Sequence, residues 1–351
     1  MTSSESVALL ILSYDSKPFL RDCITSLLGQ TYQDFQIFLI DNHSIDGSVE
    51  LVRHEFSQVN IIANPENYGF GRGFNEGIRL VQSKFDYIGL LNPDIKADPR
   101  WLEESVNTLM EFPQAQICNS LVLNWDGNVV ENAGGAILNL AAGVFGGFLS
   151  GTPRMEIPQQ YKKRAFPVFF GIANAIVIKA QAFAKYGLLD ENYFMYFEDI
   201  DLSWRILTGG GQVYCNPQAV VFHYGHGAKK SKEISLLLRE RTETNLLSTY
   251  FKNLSLPTLI LMLPLVVIVR SVVSLPYVLI SPRLTWRKLK GIASFFLSVP
   301  SLYPQRQVAQ RNRILGDWAV FASNPGPLFS FYEVAKLAFP WFRVMAKIHR
   351  D

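Results

Sequence analysis

Cysteine is scarce. Three residues in 351, Cys23, Cys118 and Cys215, are odd in number and widely spaced. They form no zinc motif, make no disulfide framework and suit a reducing compartment. Charge is scarce too: 18% of residues are charged and the net charge is +3. So small an excess does not supply the basic face that nucleic acid demands. A nicotinamide enzyme would carry G-x-G-x-x-G after its first strand, but Ser13-Tyr14-Asp15-Ser16 stands there, which argues against a dinucleotide oxidoreductase. Met1 to Ser6 lack the basic n-region and cleavage site of a signal peptide, so the catalytic part is expected in the cytoplasm. Apolar residues, by contrast, are plentiful at 48%, and mean hydropathy is +0.12. That balance directs attention to a membrane-facing part.

Strand and helix signals alternate. Val7 to Leu12 and Phe35 to Ile40 are continuous apolar runs of the kind covered on both faces of a sheet. Helical stretches follow at about Pro18 to Leu28 and Ser48 to Phe56, with a short strand at Val59 to Ile62. Right-handed crossovers and a parallel sheet are the expected outcome. Tyr87 to Leu91 is a further buried strand. It stops at Asn92-Pro93-Asp94, because Pro93 cannot donate to a ladder. Asp94 is thereby placed at the carboxyl edge of the sheet, where open α/β folds bind ligands. A helix is expected from Asp98-Pro99 to about Met110, and strands at Ile117 to Leu123 and Val168 to Ile178. Residues 124–151 are glycine-rich, and Pro153 to Pro167 read as a mobile polar connector and candidate lid.

Three other clusters are candidates for chemistry. Asn67-Tyr68-Gly69-Phe70-Gly71-Arg72-Gly73-Phe74-Asn75 reads as a glycine-rich loop running into a helix. It is either a plain flexible turn or a backbone that approaches a ligand closely, with Arg72 reaching a phosphate or sugar. Tyr196-Phe197-Glu198-Asp199-Ile200-Asp201 packs three carboxylates into four positions at a helix start. Acids there either cap the helix or, partly dehydrated by the preceding aromatics, titrate in a catalytic range. His223-Tyr224-Gly225-His226 is a histidine pair in a glycine-bearing loop, more often a ligand site than a lone histidine is.

Taken in order, these motifs resemble the inverting nucleotide-sugar glycosyltransferases of family 2, and within them the bacterial rhamnosyltransferase-like branch. The resemblance covers roughly residues 7 to 255 and rests on Ser13-Tyr14, Asp41 to Ser48, Asn67 to Asn75, Leu91 to Asp94 and Phe197 to Leu202. It implies an α/β GT-A fold, with a Rossmann-like nucleotide half fused to an acceptor half over a mixed central sheet. It implies that Asp94 closes a D-x-D-type motif whose first acid is here Asn92. Asp94 would then hold Mg2+ or Mn2+ with His223 as a further ligand, and His226 is the fallback. Ser13, Tyr14, Asp41, Asn42, Asn67, Gly69, Arg72, Asn75 and Asn92 would contact the donor. Asp199 would be the catalytic base, Glu198 and Asp201 would support base or acceptor, and Trp204 or Tyr196 would stack on a sugar. The expected reaction moves a sugar, rhamnose from dTDP-rhamnose being the branch's common choice, to a saccharide acceptor. UDP-hexose donors, or a non-catalytic nucleotide-sugar-binding regulator, are the alternatives. A regulator predicts loss of the acids, yet Asp94, Glu198 and Asp199 are all present.

The division expected is a GT-A domain over 1–252 and a helical apolar and basic extension over 253–351. Leu256 to Val269 is apolar, Arg270 interrupts it, and apolar residues resume to Ile280. Arg283, Arg287, Lys288 and Lys290 follow, and Trp318 to Phe342 supply more apolar segments. The whole stretch is long enough to span a bilayer, but a central arginine costs roughly 2.5–3.5 kcal/mol there. Three outcomes stay open: interfacial attachment, a true span, and helical packing. The first would place the enzyme on the cytoplasmic face of the membrane, with a polyprenyl-linked saccharide as its acceptor.

Overall fold

The computed structural model describes residues 5–225 and 232–338. His226 and the last residues of the 318–342 stretch lie outside them. By its contacts the chain divides into two compact units, residues 1–135 with 147–229 and residues 136–146 with 230–351. The boundary expected at 252/253 lies inside the second.

The first unit is built on one mixed sheet. Strands β1 (Val7–Ser13), β2 (Phe35–Asp41), β3 (Asn60–Ala63) and β4 (Tyr87–Leu91) run parallel in the order β4-β1-β2-β3. Helices α1 (Lys17–Leu28), α2 (Ser48–Glu55) and α3 (Gly69–Val81) make the crossovers. Every residue of β1 and β4 is buried, as continuous apolar runs require. Beyond β4 come β5 (Ile95–Ala97), α4 (Trp101–Glu111), β6 (Ala115–Asn124), β7 (Val130–Ala133), β8 (Gly135–Asn139) and β9 (Val144–Gly147). Then follow β10 (Phe166–Pro167), β11 (Ala175–Lys179), α5 (Ala180–Tyr186), α6 (Glu198–Thr208) and β12 (Gln212–His223). The sheet continues from β4 through β11, β6 and β12 to β10, and β11 is antiparallel to both β4 and β6. That reversal makes the sheet mixed.

Several expectations are corrected. The glycines of 69–77 form the first turns of α3, not a loop. Gly73 and Gly77 press on β1 and β2: an added Cβ would meet Leu12 and Asn42 at Gly73, and Ile40 at Gly77, at 2.9 Å or less. Close helix–sheet packing, not flexibility, explains these residues. The strand expected over Val168 to Ile178 begins only at Ala175. The connector 153–167 is not featureless. Two short 3-10 turns lie at Arg154–Glu156 and Gln159–Tyr161, and Phe148, Tyr161 and Phe166 pack ring against ring. Strand β12 runs unbroken from Gln212 to His223, with an irregularity between Asn216 and Val220.

In the second unit, β8 and β9 form a two-stranded sheet. The helices are α7 (Lys232–Asn253), α8 (Leu256–Val272), α9 (Tyr277–Ile280), α10 (Pro282–Arg311), α11 (Asp317–Phe321) and α12 (Phe331–Ala338). Arg270 of α8 is buried and grips Glu243 of α7 with two hydrogen bonds, 2.7 Å and 2.5 Å. Lys288 of α10 lies 3.6 Å from the same carboxylate. Leu259, Met262, Val266, Arg270 and Val273 form the inward stripe. Ile260, Leu261, Leu265, Ile268, Val272 and Leu275 are exposed on the other side. Leu256–Ile280 is long and apolar enough to cross a membrane, at a hydropathy of 2.4.

Candidate active site

The carboxyl ends of β1, β2 and β4 carry the polar residues that the core excludes. Ser13 and Asp41 sit in register on adjacent strands. Both are buried, and Ser13 Oγ and Asp41 Oδ1 have no hydrogen-bond partner. The other Asp41 oxygen accepts from the Ser44 amide at 3.0 Å. Leaving such atoms unpaired costs about 1–3 kcal/mol each. Two of them side by side at a strand edge mark a place that a polar ligand would complete. Tyr14 beside them is half exposed, and Asp15 and His43 adopt left-handed φ of 49° and 67°. Such conformations cost about 1–3 kcal/mol and cluster at functional sites.

Two asparagines expected to meet the donor are used internally. Asn42 donates to the Gly69 carbonyl at 2.8 Å and accepts from Asn64 at 2.9 Å. The Asn75 amide donates to the Leu189 carbonyl at 2.8 Å and its oxygen accepts from the Leu189 amide at 3.2 Å. Their carboxamides are consumed in fixing the segments around the edge. Asn67 accepts from the Gly69 amide at 2.9 Å, holding the left-handed start of α3. Arg72 projects from that helix, its guanidinium 3.5 Å above the Tyr68 ring and 3.9 Å from Glu66.

Asp94 follows β4 and is 8% exposed. Its Oδ1 lies 3.3 Å from Nε2 of His223, the last residue of β12. Its carbonyl accepts from the Tyr224 amide at 2.9 Å, which ties the two strand ends together. The other imidazole nitrogen, Nδ1, is 2.6 Å from Oε2 of Glu131, a residue that the sequence reading missed. Burial pulls the His223 pKa down, but the hydrogen bonds and charges of Asp94 and Glu131 outweigh it and hold it up to about 9. Among the described residues no group of three or more His, Cys, Asp or Glu forms a closed metal cage. Asp94 and His223 instead make an open pair. The carboxylate oxygen suits Mg2+ or Mn2+ and the imidazole nitrogen favours Mn2+, and both ions keep waters and phosphate oxygens in their shells.

Asp199 opens α6. Its Oδ2 accepts from the Ala173 amide at 3.3 Å and its Oδ1 from the Ile200 amide at 2.8 Å. One residue on, the Asn174 carbonyl accepts from the Asn92 amide at 2.9 Å. Asp199 and Asp94 are therefore fastened to the same paired segments, 92–94 and 173–174. Burial, opposed by those amide hydrogen bonds, raises the Asp199 pKa to about 6. Glu198 is 4% exposed, and its Oε2 has no partner. Burial first, then the charge of Asp199, pushes its pKa well up. Tyr196 and Phe197 lead into this turn with φ of 72° and 77°. These strained residues aim the acids, and Tyr196 stays 44% exposed.

On the acceptor side, Asp201 is fully buried and bonds Arg205 at 3.0 Å, four residues along α6, so of its two expected roles it can brace the helix of Asp199 but does not face an acceptor. One expectation is corrected. Trp204 is likewise fully buried and packs edge-on against Phe169, with centroids 5.2 Å apart, so it offers no face to a sugar. A hollow of 740 Å³ lies at the opposite end of β4, lined by Glu5, Asp86 and Lys179 among others. There Ser6 occupies Asp86 and the Pro113 carbonyl occupies Lys179. It gathers no comparable set of unpaired acids.

The mixed sheet with polar residues at its carboxyl edge is of the GT-A type. The sequence model of glycosyl transferase family 2 matches residues 8–187, and the chain belongs to that family. It is 23% identical over 235 residues to the N-acetylglucosaminyl-diphospho-decaprenol L-rhamnosyltransferase of Mycobacterium tuberculosis, covering 63% of this chain and 76% of that one. It is 22% identical over 233 residues to rhamnosyltransferase WbbL of Escherichia coli, covering 64% and 86%. GalNAc-T7, solved with UDP, GalNAc and Mn2+, superposes with a TM-score of 0.56 at 14% identity. That match takes in 86% of this chain and 57% of the length of that one. TarS of S. aureus, solved with UDP, gives 0.52 at 12% identity, covering 91% and 90%. These structures share the fold. The chain is a glycosyltransferase.

Proposed function

We propose that the chain is a metal-assisted inverting glycosyltransferase. It moves rhamnose from dTDP-rhamnose to a polyprenyl-diphosphate-linked saccharide in cell-surface polysaccharide synthesis. The observation that supports this reading is that Asp199 is hydrogen-bonded to Ala173, next to the Asn174 carbonyl that holds the Asn92 amide two residues before Asp94. One carboxylate adjoins a histidine, and the other has a pKa lifted toward neutrality. Ser13 and Asp41 receive the nucleotide through their unpaired oxygens. Asp94 and His223 would hold a divalent cation, which when bound neutralises charge on the departing diphosphate. The acceptor hydroxyl is a poor nucleophile and needs a base within reach. As its oxygen bonds to the anomeric carbon, its proton passes to Asp199. The bond from that carbon to the diphosphate breaks on the opposite face, and the electron pair leaves with the phosphate. A single displacement of this kind inverts the anomeric centre. Glu198, kept neutral by burial beside Asp199, can donate a hydrogen bond to the acceptor.

The acceptor assignment draws on two supports: the polyprenyl-linked substrate of the mycobacterial relative, and the exposed face of α8. We read that helix as lying in the membrane interface and not crossing it. Arg270 faces inward and is satisfied by Glu243, so the helix has one packed side and one apolar outer side. A surface-lying helix needs that two-sided arrangement. The catalytic unit then works at the cytoplasmic face.

The test is a thermal-shift screen of nucleotide-sugars with and without Mn2+. Ligands that bind the folded state raise the melting temperature by mass action. The expected result is a Mn2+-dependent rise with dTDP-rhamnose larger than with UDP-hexoses. A larger rise with a UDP-hexose would overturn the donor, and no rise with any nucleotide-sugar would overturn the reading.

A further inference from the structure

Glu131 lies in no motif of the sequence, yet it sits at the metal-side histidine. In the β6–β7 ladder, Val122 faces Asn132 and Leu123 faces Val130, so Glu131 is the extra residue of a bulge. Bulges beside active sites re-aim a side chain that regular pleating would send elsewhere. Here the result is the 2.6 Å contact from Glu131 Oε2 to His223 Nδ1, while Nε2 stays turned toward Asp94. The neighbouring turn is shaped around it. Gly225 has φ of 68°, and a Cβ there would lie 3.3 Å from Glu131 Oε1.

We propose that Glu131 is a positioning residue for the cation site. It accepts the Nδ1 proton of His223 and locks the ring toward Asp94, so that Nε2 is the nitrogen left to ligate when a cation displaces its proton. A carboxylate behind a ligating histidine orients the ring and raises its basicity, and losing it typically weakens metal binding about 10–100-fold. The proposal rests on the reading of Asp94 and His223 as the cation's ligands. A protein that supplies only two side chains gains most from having one of them held rigid.

The experiment measures Mn2+ affinity directly, from the loss of the free-ion electron paramagnetic resonance signal in the presence of dTDP. Parent, Glu131→Ala, Glu131→Gln and Asp94→Asn are compared, with metal-free melting curves establishing that each is folded. Glu131→Ala is expected to bind Mn2+ about 10–100-fold more weakly. Glu131→Gln, whose amide oxygen still accepts from Nδ1, is expected to lose distinctly less. Affinity within twofold of the parent in Glu131→Ala, alongside loss in Asp94→Asn, would overturn the positioning role while leaving the cation site intact. Equal losses in both Glu131 variants would also overturn it, since orientation through an accepted hydrogen bond would then not be what Glu131 provides. Unchanged binding in Asp94→Asn would instead overturn the cation site itself.

Discussion

On the proposed mechanism, turnover depends on Asp199. With its pKa raised to about 6 it is ionised at neutral pH yet basic enough to take a proton. The acid limb of kcat/KM should therefore bend near pH 6, because the free enzyme's base must be deprotonated. Asp199→Asn should lower kcat by about 10²–10⁴-fold, the range general-base catalysis contributes. Donor binding by thermal shift should stay near the parent's. Wild-type-like turnover would reject the assignment. The same shift has a sign for stability. A carboxyl with a raised folded pKa favours the folded state at low pH and loses that contribution as pH rises from about 4 through about 6. The motif residues of this edge were legible in the sequence because they end apolar runs abruptly. Glu131 was not, since a bulge is a property of strand pairing and leaves no local signal. The inward turn of Asn42, Asn75 and Trp204 was hidden for a related reason. A polar or aromatic residue beside a site reads the same whether it turns outward to ligand or inward to backbone.

At the scale of elements, α3 shows the difference most sharply. Its glycines read as loop because glycine weakens helices by about 1 kcal/mol each. The helix forms regardless, because β1, β2 and the segment near residue 190 come too close for any side chain at positions 71, 73 and 77. Gly69 begins it with φ of 75°, and an added Cβ would lie 2.3 Å from the Phe194 carbonyl. That carbonyl accepts from the Phe70 amide at 2.7 Å. Gly69→Ala should thus cost about 1–3 kcal/mol in urea unfolding, by strain and overpacking together. A loss under 0.5 kcal/mol would contradict the tight approach. The alternating strands and helices up to β4 were readable from hydrophobic periodicity. The three-residue β5 and the irregular stretch before β11 were not, because so short a strand, and a segment shaped to present the Ala173 amide to Asp199, carry no period.

For the whole molecule, the apolar excess of the composition is met in two ways. Buried strands of the first unit take part of it, and the outer side of α8 takes another part. The full chain should co-sediment with vesicles containing anionic lipid, and Ile260→Asp with Leu261→Asp should reduce the bound fraction several-fold. High salt should weaken binding only partly, because apolar insertion is not screened. Equal sedimentation of parent and variant would remove α8 as the contact. Sequence hydropathy placed the apolar stretch correctly. It could not tell that Arg270 turns inward to Glu243, since which side of a uniformly apolar helix is covered depends on partners far along the chain.

One small segment, residues 186–191, is held from two directions. Arg205 of α6 takes the carbonyls of Tyr186 and Leu188, while Asn75 of α3 takes both backbone groups of Leu189. Arg79 adds an ion pair to Glu191. One helix begins at Gly69 and the other at Glu198, so this strap works like a tie rod between two handles. On the proposed mechanism, any shift of either helix when a substrate seats would pull on the same six residues.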